Sequence, residues 1–180
     1  WGLAPEHCAT VPRTKAKSVV TTLNTYIRDV EADRKLIELL RSRYHTIHAW
    51  VQTAEDFDYL KGFGDDIRIL EPSLAAYDRL LQTGPDLDYV GNRLHGGIRA
   101  LQHGRRAIIV EIDNRATEMG RDFRLPTVAR TDFERIAASV QASHRSSFTG
   151  WTPKARKGAA SSPLSCRLAG GSRAGAPHRS

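Results

Sequence analysis

The stretch Ala107-Ile108-Ile109-Val110-Glu111-Ile112 is the most apolar run of the sequence, with a single charged residue among six. Four of its residues are β-branched, and its apolar positions are consecutive instead of alternating with polar ones. A run of this length and composition is typical of a strand that is buried on both faces of a parallel sheet. We therefore predict a central β-strand over residues 107–112.

Similar short runs precede this stretch, and each is followed by a segment whose apolar residues recur at helical spacing. Leu36, Ile37 and Leu40, for example, recur among charged residues between 30 and 44. The predicted strands cover residues 18–24, 46–52, 67–70, 87–90 and 107–112, and the predicted helices cover 30–44, 54–61, 72–81, 94–102, 115–123 and 132–142. Because strands alternate with helices and hairpin signals are absent, we predict an α/β domain with a mainly parallel, Rossmann-like sheet.

The formal net charge of +7 arises near the end of the chain. Residues 144–180 contain seven of the 27 basic residues and none of the 20 acidic ones, which leaves 20 of each in residues 1–143. The same segment is rich in Ser, Gly, Ala and Pro and lacks apolar periodicity, so it cannot bury enough surface to offset its chain entropy. We therefore divide the chain into a lead-in segment (1–17), a Rossmann-like domain (18–143) and a disordered basic tail (144–180).

The composition argues against several classes of protein. Since the excess charge lies in the tail, it does not indicate a nucleic-acid partner for the domain. No run of about 18 apolar residues occurs, so no transmembrane segment is predicted. Cys8 and Cys166 lack cysteine or histidine neighbours at metal-ligand spacing, so no metal site is predicted and a cytoplasmic location is expected. Because the only methionine is Met119 and signal-peptide features are absent, we expect the chain to begin inside a longer protein.

Two loops that follow predicted strands carry candidate functional residues. Ligands of open parallel sheets bind beyond the carboxyl ends of the strands. The loop Gly91–Gly97 has glycines that let the backbone approach an anion, together with Arg93 as a bidentate donor and His95 as a group that exchanges protons near neutral pH. The strand over 107–112 runs into Asp113-Asn114-Arg115, which adds a second cation about twenty residues later.

The same residues allow simpler interpretations. Arg93 could cap a neighbouring helix, His95 could hydrogen-bond to the backbone, and Asp113 could be the N-cap of the helix that follows it. Trp50 is predicted to fill the core or an interface. The sequence contains no GxGxxG, GxxxxGK[ST] or GxSxG motif, so dinucleotide, P-loop and hydrolase-elbow sites are not supported.

These loops resemble the polysaccharide pyruvyl transferase family, whose hallmark is an Arg-Leu-His-Gly turn followed about twenty residues later by a strand that ends in Asp-x-Arg or Asp-x-Lys. The resemblance covers roughly residues 1–142. The segments that carry it are Trp1–Cys8, Val20–Asn24, Tyr89–Gly97 (Tyr-Val-Gly-Asn-Arg-Leu-His-Gly-Gly), Ala100–Gln102, Ile112–Met119 and Leu125-Pro126.

The resemblance implies a two-domain, GT-B-like protein of which this chain is the carboxyl-terminal half. Such proteins use phosphoenolpyruvate, without a further cofactor or a metal, to place a ketal-linked pyruvate on sugar hydroxyls of a cell-surface polysaccharide or lipid-linked oligosaccharide. By motif, Arg93 and Leu94 would line the phosphoenolpyruvate pocket, His95 would transfer the proton, and Arg115 would be the second cation. Asn92 and Asp113 are the remaining substrate-binding candidates.

Two alternatives remain at this stage. The chain could be half of a GT-B glycosyltransferase that uses a nucleotide-sugar, although no loop offers a clear nucleobase pocket or an acidic residue for the ribose. It could also be an inactive, truncated remnant, or a scaffold whose basic tail binds anionic polymers. If the pyruvyl transferase interpretation is correct, we expect no pyruvyl transfer from this chain without the preceding amino-terminal domain, because that domain supplies half of the cleft.

Overall fold

The computed structural model of the chain describes residues 11–12, 14–84, 86–123 and 125–142, with the side chain of Arg115 outside the described part. These residues form six strands, six α-helices and one short 3-10 turn. The strands are β1 (Ser18–Thr21), β2 (Thr46–Trp50), β3 (Ile67–Leu70), β4 (Leu87–Gly91), β5 (Ala107–Glu111) and β6 (Thr127–Ala129). The helices are α1 (Val30–Arg43), α2 (Ala54–Lys61), α3 (Leu74–Thr83), α4 (Leu94–Gln102), α5 (Asn114–Phe123) and α6 (Phe133–Gln141), and the 3-10 turn is Thr25–Ile27.

The six strands form one parallel sheet in the order β3-β2-β1-β4-β5-β6. The predicted α/β, Rossmann-like fold is thus confirmed. The chain builds one half of the sheet outward from β1 to β3, returns through α3 to β4, and then builds the other half outward to β6. At the junction of β1 and β4 the loops that follow the two strands lead in opposite directions, and this is the position at which open parallel sheets form a ligand-binding crevice.

Most element boundaries lie within a few residues of those predicted. The bounds of α2 and α4 agree with the prediction, whereas β1 ends at Thr21 instead of residue 24. It is shorter because the chain after Thr21 leaves the ladder to contact the loop after β4. The sixth strand, β6, was not predicted, since a three-residue strand is too short to give a periodic signal.

The apolar faces of the helices cover both sides of the sheet. On one side α1, α2 and α6 pack over a cluster that includes Ile37, Leu40 and Val110, and on the other side α3, α4 and α5 pack over a cluster that includes Tyr77, Tyr89 and Ile109. The residues of β4 and β5 contribute to both clusters, which is why the run 107–112 lacks a polar face.

The helix α4 lies close against the sheet because its first turn contains two glycines. A Cβ atom on Gly97 would lie 2.4 Å from Cγ1 of Ile109 and 3.0 Å from a ring carbon of Tyr89, and one on Gly96 would lie 3.1 Å from the Tyr89 hydroxyl. Only glycine therefore allows this approach, which holds the start of α4 at the carboxyl edge of β4 and β5.

A buried ion pair joins the strands to the last helix at the opposite, amino edge of the sheet. The side chain of Arg106 is almost fully buried and donates to Asp88, to the Tyr44 hydroxyl and to the carbonyls of Ser139 and Ala142 at the end of α6. Burial by itself lowers the pKa of Arg106, but the Asp88 carboxylate holds that pKa above its ordinary value. The guanidinium thus stays charged and satisfies the carbonyls that end α6.

Some predictions concern parts of the chain outside the described residues. These parts are most of the lead-in segment (1–10 and 13), Cys8, Cys166 and the tail from 143 to 180. Among the described helices, none combines the length and the apolar character that crossing a membrane requires.

We expect Gly97→Ala to destabilise the fold by about 1–3 kcal/mol, because the added methyl group overpacks the contact with Ile109. The free energy of unfolding in urea measures this effect. Ile109→Ala should cost about 2–5 kcal/mol alone, because it leaves a cavity. In the double variant the alanine at 97 can occupy that cavity. The double variant should therefore lose less stability than the sum of the losses of the two single variants. Simple additivity would contradict a direct contact between α4 and β5.

Candidate functional site

The loops that follow β1 and β4 contact each other at the carboxyl edge of the sheet. A Cβ atom on Gly91 would lie 2.7 Å from the backbone nitrogen and 2.8 Å from the carbonyl oxygen of Thr22. The backbone N–H of Asn92 donates to the carbonyl of Thr22 at 3.0 Å. Position 91 therefore has no room for a side chain, and the residues after it begin at a fixed point in the crevice.

A closed set of hydrogen bonds fixes the backbone of Arg93 above this contact. Its N–H donates to the Thr22 hydroxyl at 3.4 Å, and its carbonyl accepts from the Tyr89 hydroxyl at 2.7 Å. The two hydroxyl oxygens lie 2.6 Å apart, and because Tyr89 donates to the carbonyl, Thr22 is the donor between them. Burial raises the pKa of Tyr89, so its hydroxyl remains protonated and available as this donor.

The side chain of Asn92 is held in the crevice by its oxygen, while no described residue accepts a hydrogen bond from its nitrogen. The residue is only 4% exposed, and Oδ1 accepts from the N–H of Asn24 at 2.7 Å. Its Nδ2 is buried and finds no acceptor among the residues that the structure describes. A buried donor without an acceptor costs about 1–3 kcal/mol. A buried donor of this kind is expected in a binding site, where a ligand supplies the acceptor.

Arg93 is oriented by polar groups that follow β2. Its Nη1 donates to Oε1 of Gln52 at 2.7 Å, and its Nη2 donates to Asp56, a carboxylate with no exposed surface. Asp56 also accepts from the backbone N–H of Gln52 and Thr53 and from the hydroxyl of Thr25. A carboxylate with four donors holds the guanidinium in one orientation.

The remaining donors of Arg93 are not used by the described residues. Its side chain is 18% exposed, and its Nε is buried without an acceptor in the described part of the chain. Arg93 is also the N-cap residue of α4, and it makes no side-chain capping bond there. The residue that carries the unused guanidinium donors is thus also the residue at the positive end of α4, and both features favour an anion.

Leu94 and His95 occupy different surroundings in the first turn of α4. Leu94 is buried in the core cluster beneath the helix, where it packs at the start of α4. His95 is exposed and lines an apolar cavity of about 290 Å³ over the outer side of α4. The other residues that line this cavity are Trp50, Leu74, Ile98, Arg99, Gln102, Met119, Phe123 and Leu125. The prediction that Trp50 fills the core is confirmed, since it is buried and stacked on Tyr77.

The loop after β5 lies beside the loop after β4, because the two strands pair in parallel. The carboxylate of Asp113 accepts from the backbone N–H of Ala116 at 2.9 Å, so Asp113 caps α5. This is the simpler of the two interpretations considered for that residue. The side chain of Arg115 lies outside the described residues, so the expected convergence of Arg93, His95 and Arg115 on one pocket stays a prediction.

Five residues that shape the site were not among the candidates chosen from the sequence: Thr22, Asn24, Gln52, Asp56 and Tyr89. Asn24 and Gln52 follow predicted strands, so their positions alone could have suggested them. Asp56 forms a capping box with Thr53, a pattern that is visible in the sequence as Thr-x-x-Asp. Its second use as the partner of Arg93 requires the tertiary contact between two loops and has no local signal.

Comparisons with known proteins add no family assignment. Models of known protein families gave no match to the chain, and neither did curated protein sequences. In the described ranges, no group of three or more His, Cys, Asp or Glu residues could hold a metal ion.

We expect Asp56→Asn to destabilise the chain by about 3–5 kcal/mol, because it breaks a buried pair and leaves the charge of Arg93 uncompensated. Asp65→Asn is the matched control. Asp65 pairs with a basic side chain of α2, and the side chain of Asp65 is 92% exposed. The loss of the Asp65 carboxylate should therefore change stability by no more than about 1 kcal/mol. Urea unfolding followed by circular dichroism measures both. Equal effects would show that the Asp56–Arg93 pair does not hold the loops together.

Proposed function

We propose that the carboxyl edge at the β1–β4 junction binds phosphoenolpyruvate and that the chain is the donor-binding half of a polysaccharide pyruvyl transferase. The observation that carries the proposal is the position of the Asn-Arg-Leu-His-Gly-Gly segment. It leaves β4 at the crevice where parallel sheets bind ligands, and two buried donors, Asn92 Nδ2 and Arg93 Nε, lack acceptors in the described structure. A carboxylate or a phosphate would supply these acceptors.

The charge of phosphoenolpyruvate suits this arrangement. The molecule carries a carboxylate and a phosphate, and burying either without a cation is costly. Arg93 offers a guanidinium that Asp56 and Gln52 have already oriented, and the start of α4 adds the positive end of a helix. In our proposal, Arg115 at the neighbouring loop binds the second anionic group.

The reaction requires proton transfer in addition to anion binding. Formation of a pyruvate ketal adds a proton to the methylene carbon of phosphoenolpyruvate, joins two sugar oxygens to its central carbon and releases phosphate. The two sugar hydroxyls lose their protons in the process. His95, which is exposed in the first turn of α4, is the group that we assign to this proton transfer. The remaining catalytic contacts, in this proposal, come from the amino-terminal half of a GT-B-like protein, which acts in the cytoplasm.

The proposal predicts that the chain binds phosphoenolpyruvate through Asn92 and Arg93. Isothermal titration calorimetry should show that Arg93→Ala weakens this binding about 10- to 150-fold, the scale of a hydrogen bond to a charged group. Asn92→Asp keeps the shape of the side chain but replaces the free donor with a negative charge, so it should weaken binding at least as much. His95→Ala should leave binding within about threefold, because a proton-transfer group acts mainly on turnover.

The matched control for these variants is Arg99→Ala. Arg99 lies on the same helix and is paired with Asp78, so its loss removes a similar charge without touching the crevice. Its binding constant should equal that of the wild type within about twofold, apart from long-range screening effects. Binding that is weakened equally by Arg93→Ala and Arg99→Ala, or absent from the wild type, would contradict the proposed site.

A further inference from the structure

The 3-10 turn that follows β1 is anchored from three directions. Just before the turn, the N–H of Asn24 donates to Asn92 at 2.7 Å. In its first residue the hydroxyl of Thr25 donates to Asp56 at 3.1 Å, and in its last residue the carbonyl of Ile27 accepts from Arg130 at 2.9 Å. Asn24 also caps the turn, since its Oδ1 accepts from the N–H of Tyr26 at 2.7 Å. A three-residue turn with this many bonds is held in one conformation.

The middle residue of this rigid turn presents an aromatic ring to solvent. Tyr26 is 92% exposed, which makes it the most exposed large hydrophobic side chain of the described residues. Ile27 and Val30, which follow it in the chain, are about half exposed. An exposed aromatic ring on a turn that hydrogen bonds hold in place is a candidate contact for a ligand.

The turn lies beside the proposed phosphoenolpyruvate site because both depend on the same carboxylate. One oxygen of Asp56 accepts from Thr25, and the other accepts from Arg93. Tyr26 therefore follows directly after Thr25, whose hydroxyl donates to the carboxylate that orients the guanidinium. In the same way, Asn92 contributes its free nitrogen to the anion site and its oxygen to the turn.

We propose that Tyr26 is a stacking platform for the pyranose ring of the acceptor sugar. This inference rests on the proposed function, which requires a sugar hydroxyl beside bound phosphoenolpyruvate. The face of a phenol ring carries partial negative charge, and the C–H groups on one side of a pyranose carry partial positive charge, so the two stack. A β-galactoside presents several such C–H groups on one face. In this proposal, the platform holds the sugar ring beside the anion site.

Nuclear magnetic resonance of the chain, with carbon-13 in the rings of its five tyrosines, tests the inference. The probe is methyl β-D-galactopyranoside at millimolar concentrations. We expect the ring signals of Tyr26, assigned by their loss in Tyr26→Phe, to shift on titration. We also expect Tyr26→Ala to weaken galactoside binding at least tenfold, and Tyr26→Phe to retain it within threefold. Leu74→Ala, which removes another exposed apolar side chain, should have no effect.

A parallel titration with phosphoenolpyruvate separates the two proposals. If the galactoside binds through Tyr26 but phosphoenolpyruvate does not bind, the sugar platform stands and the pyruvyl transferase proposal fails. If phosphoenolpyruvate binds and the galactoside does not, or binds equally to Tyr26→Ala, the platform is wrong and the anion site is unaffected. A wild-type chain that self-associates through this surface, and becomes monomeric in Tyr26→Ala, would also overturn the platform and identify a protein interface.

Discussion

The contact between Gly91 and Thr22 is the constraint on which the carboxyl edge of this protein depends. A Cβ atom at position 91 would overlap the backbone of Thr22, so glycine alone lets the ends of β1 and β4 meet this closely. From that point the backbone of Arg93 is fixed by the hydroxyls of Thr22 and Tyr89. If the two strand ends were farther apart, the donors of Asn92 and Arg93 and the start of α4 would all be displaced.

Two buried carboxylates stabilise the opposite edges of the sheet in different ways. At the amino edge Asp88 pairs with Arg106, which also donates to the carbonyls that end α6, while Nε of Arg106 has no acceptor among the described residues. At the carboxyl edge Asp56 pairs with Arg93, whose buried Nε has no acceptor among the described residues. Buried pairs of this kind contribute little net stability compared with apolar packing. Their retention is better explained by orientation, and only the second pair lies in a crevice that suits a ligand.

The fold was predictable because its sequence signals are local. The contacts that hold Asn92 and Arg93 in place were not predictable, because they carry no local signal. Consecutive apolar residues in β5 reflect a strand that is buried on both faces, and the helical spacing in α1 reflects a helix that is buried on one face. The alternation of strands and helices therefore follows from the sequence. The strand order does not, because nothing local distinguishes an edge strand from a central one, and β6 is too short to detect. Arg93 was a candidate because of its place after a strand, and Asn92 was a candidate because of the family resemblance. Their partners Asn24, Gln52 and Asp56 are 37 to 68 residues distant in sequence, and only the folded loops bring them together.

The carboxylate of Asp56 also affects the affinity with which the carboxyl edge of the sheet can bind a ligand. It gathers the turn at Thr25, the start of α2 and the guanidinium of Arg93, three segments that would otherwise each sample many conformations. The conformational entropy of ordering them is lost when the chain folds. A small molecule that meets this edge does not lose that entropy again, so a modest number of contacts can suffice for measurable affinity.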